Sequence, residues 1–512
     1  MRTIQVLALF TAFAPVAVCG AESPQAGGDA AAAPYTIEEV PLGPIPSRFI
    51  ETIISEDGCH VAFVVIEGDK FCVLIDGQAG PEYEGGIFGL VFSPDWKRAA
   101  HVSVASVATT KGAKFWVVID GQAGPEYDGI GGGSIQFSPD GKRVAYAASQ
   151  NYKKFVVIDG QAGPEYDGIG IGSLGFSPDG KRVAYVAAKS NKKFVVLDGQ
   201  EGQQYDYIVG DSLAFSPDGK RVAYVARKGD RWLVVLDSQE GPEYDGILEG
   251  TPVFSPDGKR LAYGAAKGDQ WCVVIDGEAG PAYDGIMEGS LVFSPDGKRV
   301  GYAAQRGDKG FAVSDGKPGP EYDGIAAARL QFDSDTGQPA FAMRKGKKWS
   351  NVSPRQWRPT YDGVRGGSFV FSPDGKRVMY AARKGDKWFV VLDGEAGAEY
   401  DEILEGTPVF SPDGKRVAYG AGKDRKRFVV LDGHEGTAYD GIRNLVFSPH
   451  GKQVAYGAQK VDKFFVVVDG QPIPGYDGVL GGPVFRPDGT LEYLAVKAGN
   501  LFRVKHVPAE KG

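Results

Sequence analysis

The sequence predicts an all-β fold of the β-propeller type, and three observations carry that reading. A leading phenylalanine recurs at Phe137, Phe176, Phe215, Phe254, Phe293, Phe332, Phe371 and Phe410, each step being 39 residues. Looser copies that start at Ile54, Phe92, Phe447 and Phe485 bring the total to twelve units. A fixed period near 40 with strand-like content is what a repeat array of blades writes into a chain. Short runs of strand formers alternate with turn residues, and no window keeps a helical apolar period without Gly or Pro interrupting it. The 74 glycines and 32 prolines follow the repeat and therefore mark turns rather than disorder.

The unit from Phe215 to Val253 shows how each element arises. Ser216-Pro217-Asp218-Gly219 suits a type I turn, with Ser first, Pro presetting φ at the second position and Gly fourth. Strand formers flank it at Ser212 to Phe215 and Arg221 to Ala226. The second run is apolar on both faces, as expected for a strand buried between stacked blades. Lys228-Gly229-Asp230 makes the next turn, Trp232 to Leu236 the third strand, and Glu243 to Ile247 a short fourth strand. Four such strands form one blade. Alternate turns go to opposite ends, so the Ser-Pro-Asp-Gly and Asp-Gly-Gln turns share one end. The Lys-Gly-Asp turns are expected at the other, with the Gly-rich links.

The string Phe-Ser-Pro-Asp-Gly-Lys-Arg-Val-Ala-Tyr at Phe215 to Tyr224, followed by a strand that ends at Asp237, resembles the TolB-type, WD-repeat-like propeller unit. The resemblance spans residues 49 to 507. It implies a propeller and no particular reaction, because this repeat serves binding scaffolds and also the propeller half of some peptidases.

Residues 1–20 read as a secretory signal: Arg2, an apolar run from Ile4 to Val18, and small residues before Ala21. Cys19 offers a second reading, lipid attachment. The apolar run is too short to span a bilayer. Residues 21–34 are a low-complexity tether. Tyr35 to Val40 is strand-like, and the last unit lacks a fourth strand, so the N-terminal strand is expected to complete it and leave no open edge. Twelve blades exceed the usual ring. Two tandem six-bladed rings, residues 35–279 and 280–512, are the preferred division, with seven plus five and one large ring as alternatives.

Three units depart from the pattern. The first loses the Phe and Pro of its turn but keeps Asp57-Gly58, and the second has Trp96 for the turn Gly and extra residues around Ala105 to Lys111. The eighth is the most altered. Asp333-Ser334-Asp335-Thr336-Gly337 replaces its turn, and its third strand is expected to be lost in the stretch Trp349 to Trp357. Basic and aromatic residues gather there, so Lys345, Lys347, Lys348, Trp349, Arg355, Trp357, Arg358 and Arg365 are the candidate partner-binding residues.

Other motifs read as structure. The Tyr-Asp pair recurs in ten units, from Tyr127-Asp128 to Tyr476-Asp477. Asp there suits a turn and Tyr the packing between blades, since a residue present in every blade is one that the blade needs. Gly170 to Gly175 matches a dinucleotide fingerprint, but no helix follows. The five histidines share no metal-ligand spacing, and Asp333 to Gly337 lacks the distal Glu of a calcium loop. Cys72 should face Val65 across a hairpin, which leaves Cys59 too distant for a disulfide. A net charge of −8 argues against nucleic acid as a partner.

No catalytic set, metal or cofactor is predicted, and no transmembrane segment. The functional expectation is an exported, non-enzymatic scaffold, periplasmic or secreted, that binds a protein partner. The alternative is a glycan-binding or hydrolytic propeller with a carboxylate site over the channel, such as Asp333 with Asp335 or Glu402 with Glu405.

Overall fold

A computed structural model describes residues 35–104, 113–332, 339–353, 356–357, 360–365, 368–473 and 475–508. The chain folds into twelve antiparallel sheets, one for each sequence unit, and is a β-propeller of four-stranded blades. It divides into two compact units: Met1–Glu82 with Arg416–Gly420 and Arg425–Gly512, and Tyr83–Lys415 with Ala421–Asp424.

The fourth blade, in the second of these units, shows why the repeat folds as it does. Its inner strand comes in two halves, Gly168–Ile169 and Gly175–Phe176, both paired to Val183–Lys189. Lys192–Leu197 and Gln200–Glu201 follow in meander order. The expected assignment of Tyr-Asp-Gly-Ile to the end of a unit is therefore corrected, because Gly-Ile opens the following blade. The Gly-rich link is likewise no end loop. It bulges out in the middle of the inner strand, where Ser173 Oγ donates to the Gly170 carbonyl at 2.9 Å and accepts the Val186 N–H at 2.9 Å.

The two-residue loop after the third strand uses residues that tolerate positive φ, as the twist of a hairpin demands. Asp198 and Gly199 lie at φ 51° and 82°. In the Ser-Pro-Asp-Gly turn, Ser177 Oγ donates to Asp179 at 2.6 Å and accepts the Arg182 N–H at 2.9 Å. Trp96 holds the left-handed position of that turn's glycine in the second blade, at φ 55°, with its ring stacked on Phe92 at 4.0 Å.

The core lies between blades. Tyr166, Tyr185, Phe194 and Val196 are buried together, and the Tyr166 ring meets Tyr185 edge-on at 6.2 Å. Burying each such side chain contributes roughly 1.5–3 kcal/mol. At the edge, Arg182 ties neighbouring blades. Its Nε donates to Asp198 at 2.9 Å, its Nη1 donates to the Lys220 carbonyl of the next blade at 2.8 Å, and its guanidinium covers Phe215.

In the other unit the N-terminal strand completes the last blade, as the sequence predicts. Tyr35–Pro44 runs antiparallel to Asn500–Pro508, from Tyr35 opposite Pro508 to Pro44 opposite Asn500. Arg503 anchors this blade to the first one through Asp76 at 2.7 Å and the Cys59 carbonyl at 2.7 Å. Arg486 bridges Asp57 at 2.8 Å and Glu492 at 2.7 Å. Cys72 does face Val65, and Cys59, Cys72 and Cys272 are free thiols. Burial pushes the Cys59 thiol up to about 12.

The eighth blade keeps its third strand, contrary to expectation. Lys348–Ser353 pairs with Pro339–Lys345, and Gln356–Trp357 follows as the fourth strand. Backbone pairing needs no particular side chain, so the register survives the loss of the usual Phe-Val-Val run. Residues 1–20, residues 21–34, Ala105 to Lys111 and Asp333 to Gly337 lie outside the described residues. No helix among the described residues is long and apolar enough to cross a membrane.

Candidate docking surface

The repeated charges come first, because most of them are used by the blades. Asp167 accepts the Ser190 N–H at 2.9 Å and the Lys153 ammonium at 2.7 Å, and those two bonds, Lys153's first, hold its carboxyl below the usual carboxylate range. Asp206, Asp323, Asp362 and Asp401 make the same pair of bonds in their blades. The recurring Tyr-Asp pair is thus a clip: the Asp pins the next hairpin turn, and the Tyr is buried against its neighbours.

Lys348 is one of these clips. Its ammonium pairs with Asp362, which also accepts the Gly385 N–H of the ninth blade at 2.8 Å. Trp349 is half-buried and exchanges backbone hydrogen bonds with Tyr361 at 2.8 and 2.7 Å. Both hold positions that other blades fill in the same way, so both serve the frame first.

Lys345 and Lys347 differ. The turn that reads Lys228-Gly229-Asp230-Arg231 in the fifth blade reads Lys345-Gly346-Lys347-Lys348 here, so Lys347 stands where a carboxylate stands elsewhere. In the fifth blade Lys228 pairs with Glu240 at 2.5 Å, and Glu240 sits opposite Val235. In the eighth blade the residue at that register, opposite Val352, is Trp357. Lys345 and Lys347 are exposed and make no ion pair among the described residues.

Arg365 lies at the start of the inner-strand bulge of the ninth blade, where Leu248 and Met287 stand in two others. Its N–H donates to the Ala381 carbonyl at 3.0 Å, and its guanidinium lies 4.9 Å from the Trp388 ring centre. Arg383 approaches the same ring at 5.9 Å. Two guanidiniums on one indole, neither paired with a carboxylate among the described residues, make a second cationic feature beside the Asp362 clip. Sequence reading missed Arg383 and Trp388 because each looks ordinary in its own unit; only their convergence with Arg365 sets them apart. The backbone of Trp357 is placed by its pairing, while Arg355 and Arg358 lie outside the described residues.

No protein-family model matches the sequence, and no curated protein does. Among solved structures, the chain is similar to TolB from Acinetobacter baumannii, with 16% identity over 56% of this chain and 80% of that one, at a TM-score of 0.23. It is also similar to a eukaryotic initiation factor, with 13% identity over 75% of this chain and 98% of that one, at a TM-score of 0.35. The propeller domain of the Trilobed protease from Pyrococcus furiosus shares 16% identity over 59% of this chain and 94% of its own, at a TM-score of 0.25.

Proposed function

We propose that the chain is an exported, non-enzymatic binding scaffold whose eighth and ninth blades dock an acidic segment of a protein partner in the cell envelope or outside the cell. One observation carries the reading. At the hairpin turn of the eighth blade, Lys347 stands where the fifth blade has Asp230 and Trp357 where it has Glu240, which leaves Lys345 and Lys347 exposed and without an ion pair among the described residues. Cations in that state attract an acidic partner and speed its encounter, and they do so less as salt rises. Export rests on the signal-like residues 1–20.

The test is affinity capture of the tagged chain from extract of its source at low and high salt, with Lys347→Asp in parallel. That variant carries the residue that the fifth blade has at Asp230, so the turn accepts it. A stoichiometric, salt-sensitive partner that the variant loses supports the proposal. A partner that both proteins capture equally overturns the docking surface.

A further inference from the structure

We infer that a second site, between the fourth and fifth blades, binds an acidic sugar unit: a pyranose that carries a carboxylate or a sulfate. The starting point is Tyr207. It occupies the position that is glycine in the neighbouring units, at Gly168, Gly246 and Gly285, and the residue is 39% exposed.

Four side chains converge on that substitution. Tyr207 lies opposite Arg227 and Arg227 opposite Trp232 across three paired strands, so all three share one face. The Tyr207 and Trp232 rings meet edge-on at 6.1 Å. The Arg227 guanidinium lies 5.9 Å from the Tyr207 ring centre and 5.5 Å from that of Trp232. From the fourth blade, Lys193 reaches over to place its ammonium 4.0 Å from the Tyr207 ring centre.

These two cations differ from those around them. Lys192 pairs with Asp206, Arg231 with Asp245, and Lys228 with Glu240. Lys193 and Arg227 make no ion pair among the described residues, and Arg227 Nε is shut off from solvent without a hydrogen-bond partner. An aromatic edge with two unmatched cations suits a ligand with an apolar ring face and one or two anionic groups. A guanidinium donates two N–H groups to carboxylate or sulfate oxygens in bidentate fashion, and an aromatic side chain covers the sugar's C–H face. A nucleic-acid strand needs a run of phosphate contacts. Two cations on a chain of net charge −8 supply none.

Isothermal titration of the full chain tests this with hexagalacturonate, a chondroitin sulfate hexasaccharide, neutral maltohexaose and AMP. Tyr207→Gly and Arg227→Ala are titrated in parallel, with circular dichroism to confirm the fold. Tyr207→Gly restores the residue of the neighbouring units, so loss of structure does not confound it. The expected result is saturable binding of one or both acidic hexasaccharides and none of maltohexaose. Kd should rise by at least about tenfold in each variant. The preferred acidic ligand tells carboxylate from sulfate recognition. Absence of acidic-sugar binding, equal binding of maltohexaose, binding of AMP alone, or unchanged affinity in Tyr207→Gly would each overturn the inference.

Discussion

The hairpins at Lys228 to Arg231 and Lys345 to Lys348 have the same length and the same strand register, yet opposite electrostatic outcomes. In the fifth blade both end residues of the turn are matched, Lys228 by Glu240 and Arg231 by Asp245. In the eighth only Lys348 is matched, by Asp362. The clip that fixes the geometry is kept, and the charges that are dispensable to geometry are changed. In this repeat array, function is therefore to be sought in positions that are unmatched, and abundance of a residue type is a poor guide to it.

That contrast predicts that frame positions cost stability and unmatched positions cost binding. The largest effect is expected in the core. Phe194→Ala, at a fully buried site, should lower unfolding free energy by about 3–5 kcal/mol in a denaturant titration, because a cavity replaces the ring. Lys347→Asp should leave the same titration unchanged.

Next comes acid sensitivity. His101 sits where Tyr146 and Tyr185 stand in later blades, and burial lowers its imidazole to about 4. The unfolded chain takes up that proton near pH 6.5. The folded chain resists it, so stability is full above pH 6.5 and falls progressively between pH 6.5 and 4, by up to about 3 kcal/mol. His101→Tyr should remove about half of the histidine-linked fall, since burial lowers His506 to about 4 as well, whereas Lys347→Asp should leave it unchanged.

The closing contact comes third. Burial alone would raise the Asp76 carboxyl, but the hydrogen bonds from His60 and Val61 and the charge of Arg503 bring it below its usual value. Its contribution is present above about pH 4 and is lost as pH falls through the folded value. Arg503→Met should cost about 2–3 kcal/mol at neutral pH and less in acid, as read by thermal melts across pH. The smallest effect belongs to the blade-edge ties. Arg182→Ala should cost under about 1 kcal/mol, because its ion pair with Asp198 is partly exposed.

Much of the frame was legible in the sequence. The period named the blades, Ser-Pro-Asp-Gly named a turn that Ser177 and Asp179 make with their own side chains, and the strand-like Tyr35 to Val40 named the closing strand. Strand boundaries were less so. Gly168-Ile169 follows a buried Tyr and looks continuous with it, although the inner strand is split and begins there. The eighth blade's third strand was misread because its side chains are polar, and register depends on backbone bonds that the pattern does not display. At the proposed docking surface, Lys345, Lys347 and Arg365 were visible as an excess of charge. That Lys348 is consumed by Asp362 depends on a contact 14 residues away. The Tyr207 cluster was invisible for a similar reason, since Lys193 and Trp232 come to Tyr207 from different blades.

The most direct test of this division is a side-by-side measurement of Kd for the purified partner at physiological salt. It compares the native chain with Lys345→Glu/Lys347→Asp and with Lys228→Gln, the latter at the equivalent turn position of the fifth blade, where the lysine is paired with Glu240. The account predicts a rise of at least about tenfold for the first variant and less than about twofold for the second, with all three chains melting together. An equal loss in both variants, or none in either, would contradict it.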